Sequence, residues 1–329
     1  PINRHWQSIQ HMTQSSLSEQ ATTVPLDKEP NSSDTAALVS RPPIVDYAIL
    51  LKPRVMSLVL FTGFTGMLLA PGNIDVLTGT IAVICIALGA GASGAINMWY
   101  DRDIDQMMQR TKHRPLPAGR LKPRSALLLG TVLSLFSVAV MGIYVNLVSS
   151  LLLATTIAFY VFIYTIWLKR RTPQNIVIGG ASGALPPVIG WAAVTNDVSL
   201  GSIVLFAIIF MWTPPHFWAL SLYLSGDYER AGVPMMPVVS GKTETKRLIL
   251  IYTLLLVPIT LIPAFIEIIS PIGGAVVLLL GLIFIWHALQ VRSGNKPDAP
   301  RSMFRYSILY LFLVFVIFLA DHGIIPIIF

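Results

Sequence analysis

Asn97, Asp101 and Asp105 stand four residues apart where an apolar stretch gives way to a polar loop. On a helix each step of four advances about 40° and climbs about 6 Å, so the three side chains form one row of oxygens within an arc of about 80°. That row matches the length of a diphosphate. Carboxylates gathered at a membrane boundary repel one another and resist desolvation, so a cation is due among them. Oxygen groups of this kind suit magnesium, which is commonly held by one or two carboxylates together with substrate phosphates, and do not suit zinc. From spacing alone, the row is equally the solvated end of a charged helix with Arg102 and Arg110 as partners. Asp103 points off the row and takes that second reading.

Directly downstream runs Arg110-Thr111-Lys112-His113-Arg114-Pro115-Leu116-Pro117-Ala118-Gly119-Arg120. Two prolines stiffen this loop, and its guanidinium and ammonium groups can clamp phosphate oxygens. Alone it would read as a topology signal; beside the row of oxygens it favours a phosphate ester. A second polar segment, Ser225 to Pro237 with Asp227 inside it, follows a later apolar stretch in the same way. The parallel suggests two related halves that set their loops over one cavity.

What must position these groups is a membrane bundle. Of the 329 residues 54% are hydrophobic and only 12% charged, far from the roughly 25% charged content of a soluble domain. The apolar residues collect in stretches long enough for a helix to cross a hydrocarbon core of about 30 Å, and they lack the alternation of barrel strands. Nine spans are expected, at 48–70, 76–98, 125–145, 147–168, 175–194, 200–221, 248–269, 272–289 and 304–319. Two of the connections, at Asn146 and at Ser270-Pro271, are short enough to be tight helical hairpins. Basic residues fill every second loop and are missing from the others, which places the N-terminus and both polar loops on the cytoplasmic side. The same asymmetry accounts for the formal charge of +7 without nucleic acid.

Residues 1–44 form a polar tail, expected to be disordered, with the part before Met12 read as a remnant of cloning; the membrane domain occupies 45–329. Acidic residues in the tail make it a poor mitochondrial targeting segment and favour a bacterial plasma membrane. Cys85, the single cysteine, lies within the second span and reads as a small buried apolar residue.

The pattern Asn97-x-x-x-Asp101-x-x-x-Asp105, followed by Arg110-Thr111 and Arg114-Pro115-Leu116-Pro117, resembles the first motif of the UbiA superfamily of intramembrane aromatic prenyltransferases. Lys52-Pro53-Arg54, Gly183 to Trp191, Trp212 to Leu220 and Pro234 to Val239 are similar to the branch of that superfamily that farnesylates protohaem IX. Met98, where quinone-forming relatives carry an aspartate, and Ala231, opposite Asp227 in the second motif, agree with that branch; they also weaken any full second carboxylate site. The resemblance implies an all-α fold of nine transmembrane helices around a central cavity, capped by two cytoplasmic polar loops. It implies farnesyl diphosphate and haem b as substrates, haem O as product, and Mg2+ held by Asn97, Asp101, Asp105 and Asp227. Lys112, Arg114, Arg120 and Lys242 would bind the diphosphate, and haem A synthase or terminal oxidase assembly proteins would be the partners.

His216, beside Pro214 and Pro215, reads either as a hydrogen-bonded packing residue or as a haem contact; Arg54 reads as a propionate partner or a headgroup anchor. A quinone-type prenyltransferase would call for an aspartate at 98 and a paired second motif. A cation-coupled transporter would place acids at the membrane midplane, whereas here they gather at one face.

Overall fold

The computed structural model describes residues 43–328, and among them every regular element is helical. The tail assigned to 1–44 lies, as far as residue 42, outside the described residues. A short helix α1 (Pro43–Leu50) leads into α2 (Pro53–Leu68) and α3 (Val76–Tyr100), which ends at the short α4 (Arg102–Met107). Then come α5 (Pro123–Tyr144) and α6 (Leu147–Ala158), the latter continuing as a wide-turn π-helix, Phe159–Leu168. Next are α7 (Asn175–Ala184), α8 (Pro186–Thr195), α9 (Leu200–Tyr223), α10 (Ser225–Arg230) and α11 (Met236–Val239). The chain closes with α12 (Gly241–Phe265), α13 (Pro271–Ser293) and α14 (Ala299–Ile328).

Eight of these helical segments are long and apolar enough to cross a membrane, counting α7 with α8 as one, and the shorter apolar α2 stands beside them. Nine apolar segments therefore occupy the expected places, with corrected ends. The first span does not run unbroken from 48. A proline disfavours helical geometry in the residue before it, and Pro53 starts α2 at its first position, where the missing N–H is harmless. Lys52 accordingly breaks the chain at φ 52°, a left-handed conformation that a lysine rarely adopts. The fifth span is interrupted at Leu185 for a different reason: Leu185 keeps right-handed helical dihedrals, but Pro186 and Pro187 supply no N–H to the hydrogen-bond ladder. Both short hairpins form. Asn146 accepts from the Ser149 amide at 2.8 Å, and the Ser270 hydroxyl accepts from the Gly273 amide at 3.2 Å, each capping the following helix.

Two apolar cores hold the bundle. One joins α3, α5, α6 and α8 around Ile86, Met141, Leu153 and Ile189, and the other joins α9, α12, α13 and α14 around Leu205, Phe284, Tyr310 and Phe315. Glycines permit the closest approach, that of α2 to α8: a methyl group on Gly190 would overlap the Gly63 carbonyl oxygen, and one on Gly66 would overlap the carbonyl of Pro187. Backbone cannot move aside as a side chain can.

Candidate functional site

The row of oxygens is buried. Asn97, Asp101 and Asp105 are 4%, 1% and 3% exposed, and Asp227 is 8% exposed. Asn97 is carried on the last turn of α3, Asp101 caps that helix and opens α4, and Asp105 sits within α4. Asp227 lies in α10. The two polar loops meet: Ile104 and Met108 from the first pack with Tyr228, Ala231, Val233 and Met235 from the second, and with Ile176 at the start of α7. The cap inferred from two separate stretches of sequence is thus one layer over one end of the bundle.

Each oxygen group is met by a cation. The Lys52 ammonium donates to Asn97 Oδ1 at 2.8 Å, and Lys169 donates to Asp101 Oδ2. Arg114 Nη1 donates to Asp105 Oδ2 at 2.8 Å, and Arg230 donates to Asp227. Asn97 also donates from Nδ2 to Asp101 Oδ2 at 2.7 Å and to the Thr165 hydroxyl at 3.2 Å, which ties the row to the π-helical stretch. Asp101 Oδ1 is buried and accepts no hydrogen bond; the nearest cation, Arg170, stands 3.5 Å away. A buried carboxylate oxygen left in this condition is a strong attractor for a further positive group. Among the described residues no three Asp, Glu, His or Cys side chains converge into a ready-made metal cluster.

Arg170 fixes the junction of α3 and α4. Its guanidinium grips Asp103 with two bonds of 2.7 Å, donates to the Tyr100 carbonyl at 2.9 Å and lies 4.6 Å from the centre of the Tyr100 ring. This pairing holds the Asp103 carboxyl below the usual carboxylate range. Asp103 itself stays exposed and off the row, as its spacing requires. Lys52 remains partly accessible although protein surrounds it; burial, with Arg114 and Lys169 adding their charge, lowers its ammonium to about 7. Tyr160 and Tyr164 are half-buried on the π-helical stretch, with ring centres 5.2 Å apart.

Other residues singled out by sequence lie elsewhere or face different partners. Arg120 is exposed and spends its guanidinium on Asp46 of α1, at 3.0 and 3.1 Å, and on the His113 carbonyl at 3.1 Å. It ties α1 to the loop. Lys112 is half-buried and Lys242 exposed, and among the described residues neither has an ion-pair partner. Arg54 is exposed at the start of α2. His216 is buried between Trp212 and Phe304, with ring centres 4.2 and 4.8 Å away, and its Nδ1 meets the Ser307 hydroxyl at 2.7 Å. The packing partners are present; Nε2 has no hydrogen-bond partner among the described residues.

Lys52, Lys169, Arg170, Arg230 and Thr165 are site residues that spacing arguments passed over. Lys169-Arg170-Arg171 reads as topology charge, yet Thr172-Pro173 follows it much as Thr111 and Pro115 accompany the first basic loop. That likeness was the available signal.

The UbiA prenyltransferase family model matches residues 59–316. The chain belongs to the UbiA prenyltransferase family. Within it, the chain is 55% identical over 286 residues to protoheme IX farnesyltransferase of Acidiphilium cryptum, covering 84% of this chain and 90% of that protein. It is 57% identical over 280 residues to protoheme IX farnesyltransferase 2 of Mesorhizobium japonicum, covering 84% and 89%. The fold is that of solved family members. A digeranylgeranylglyceryl phosphate synthase superposes with a TM-score of 0.71 at 17% identity, over 85% of this chain and 98% of its own. A homologue from Archaeoglobus fulgidus bound to DMAPP and Mg2+ superposes at 0.63 with 16% identity, over 83% and 99%.

Proposed function

We propose that this chain transfers the farnesyl group of farnesyl diphosphate to a vinyl group of haem b, with addition of water, giving haem O and diphosphate. The observation that carries the reading is the buried row Asn97, Asp101, Asp105, bonded to Lys52, Lys169 and Arg114, beneath a cap whose second loop holds the buried Asp227 paired with Arg230. The high identity to protohaem farnesyltransferases over most of the chain supports the acceptor.

The donor set fits magnesium: one amide and three carboxylates, all oxygen, with one buried carboxylate oxygen unpartnered. Asn97, Asp101, Asp105 and Asp227 would hold the ion, which supplies positive charge against the diphosphate as it departs. The surrounding cations Lys52, Lys112, Arg114 and Lys169 stabilise the same growing charge from fixed positions, and cost no reorganisation at that moment. As the bond from farnesyl C1 to the diphosphate oxygen breaks, the apolar helices below keep water from the allylic cation until the vinyl group's electrons close a new carbon–carbon bond. Water then adds to the adjoining carbon and loses a proton, leaving a hydroxyl group. His216 and Arg54 stand as the candidate haem contacts. Lys242 stands at the margin of the cap, and Arg120 acts through α1. The charge asymmetry of the loops supports a cap that faces the cytoplasm, and the acidic residues of the tail support a bacterial inner membrane, where haem A synthase or oxidase assembly factors would take the product.

Purified protein given haem b, farnesyl diphosphate and magnesium is expected to yield haem carrying one farnesyl group and one added water, read by mass spectrometry. Unchanged haem alongside prenylation of a phenolic acid would instead establish a quinone-type enzyme.

A further inference from the structure

The four proposed ligands are matched one to one by cations: Asn97 with Lys52, Asp101 with Lys169, Asp105 with Arg114, Asp227 with Arg230. Only two of these cations come from the polar loops that carry the aspartates. Lys169 follows the π-helical stretch, and Lys52 is held at the break between α1 and α2 by a strained backbone. Leu51 and Lys52 lie against Gly91 and Gly94 of α3, and the bond to Asn97 holds the lysine side chain over the row. Four separate parts of the chain therefore bring positive charge to the four proposed ligands.

A divalent ion seeking those oxygens meets amines and guanidines already in contact with them. It can reach Asp101 Oδ1, which accepts no hydrogen bond, but it cannot take the oxygens that Lys52, Lys169, Arg114 and Arg230 hold without pushing those groups off, and a displaced cation kept beside a divalent ion is repelled by it. A diphosphate arriving alone meets the mirror problem: the cations it needs are engaged, and taking them strands carboxylates that are almost fully buried. Both costs vanish when the two arrive together. The metal takes the carboxylates, the diphosphate takes the freed cations, and every charge is paired again.

We propose that Lys52, Arg114, Lys169 and Arg230 are exchangeable counter-ions that make a divalent cation and a diphosphate bind as a coupled unit, each weakly alone and each strengthened by the other. The inference deepens the proposed function and rests on its ligand assignment. It concerns binding and not transfer, so the two can fail separately.

Isothermal titration of the full chain in detergent tests it, using Mn2+ alone, inorganic diphosphate alone, and each in the presence of the other, after subtraction of their association in buffer. Affinity for either is expected to rise about tenfold or more when the other is present, and by the same factor in both directions, as linkage demands. Lys169→Met and Arg230→Met each unbind one aspartate in advance. Each is expected to raise the affinity for Mn2+ alone by about tenfold and to shrink the coupling accordingly. Wild-type protein that binds Mn2+ equally well with and without diphosphate overturns the proposal without recourse to any variant. So do variants that melt normally and leave Mn2+ affinity unchanged. Haem is absent from the assay, so a chain that shows this coupling yet fails to farnesylate haem refutes the proposed reaction and leaves the counter-ion exchange standing.

Discussion

Asp101→Ala is expected to lower farnesyl transfer by about 10³-fold, the scale seen when a preorganised charge at a reacting centre is deleted. Asp101 is the most buried member of the row, it terminates α3 and begins α4, and it alone has a fully buried oxygen that accepts no hydrogen bond. Its partner Lys169 is 19% exposed, so removing the carboxylate strands a mostly buried ammonium, a change that costs about 3 kcal/mol where pairs are fully buried and less here. A melting curve in detergent must therefore accompany the activity. Asp101→Asn keeps the shape and the bond from Asn97 while losing the charge, and a loss of about 100-fold is expected from it. A folded alanine variant with ordinary turnover would remove Asp101 from the ligand set.

Gly190→Val is expected to prevent stable folding, and Gly190→Ala to cost about 3 kcal/mol or more, read as thermal unfolding or loss of monodispersity in detergent. The contact of α2 with α8 is made by backbone on both sides, Gly63 facing Gly190 and Gly66 facing Pro187, so neither helix has a side chain that can rotate away. Gly183, only seven residues earlier in the same broken span, is the control. Nothing stands within 4 Å of a methyl group added there, so Gly183→Ala should leave stability within about 1 kcal/mol of the parent or raise it, since alanine is the better helix former. Equal behaviour of the two alanine variants would show that the close approach of α2 and α8 carries no energetic weight.

Long apolar runs told the helices from the rest because length and hydropathy are properties of the chain alone. The row at 97, 101 and 105 was legible for the same reason, being a matter of helical periodicity, and Asn146 and Ser270 announce their caps by residue type. The break at Lys52 was less open to reading: Pro53 hints at it, but the left-handed backbone is sustained by packing on Gly91 and Gly94, forty residues away. Lys169 and Arg170 looked like boundary charge because nothing local reveals that they turn back toward Asp101 and Asp103. Arg120 shows the converse: it sits in the expected loop, and its partner Asp46 lies in a short helix that begins ahead of the first expected span, so the pairing could not be read from the sequence.

The π-helical stretch decides where Lys169 ends up, and it does so by counting. Each of its turns contains more residues than an α-helical turn, and the closing bond, from the Lys169 amide to the Tyr164 carbonyl, spans five positions where an α-helix would span four. Exchanging one side chain for another within 159–168 leaves that count alone. Inserting one further residue, which the already widened turns would not absorb, would swing whatever follows by about 100°, carrying the lysine away from Asp101. This part of the protein should thus be forgiving of substitution at its exposed positions, Phe162 and Trp167, and intolerant of added length.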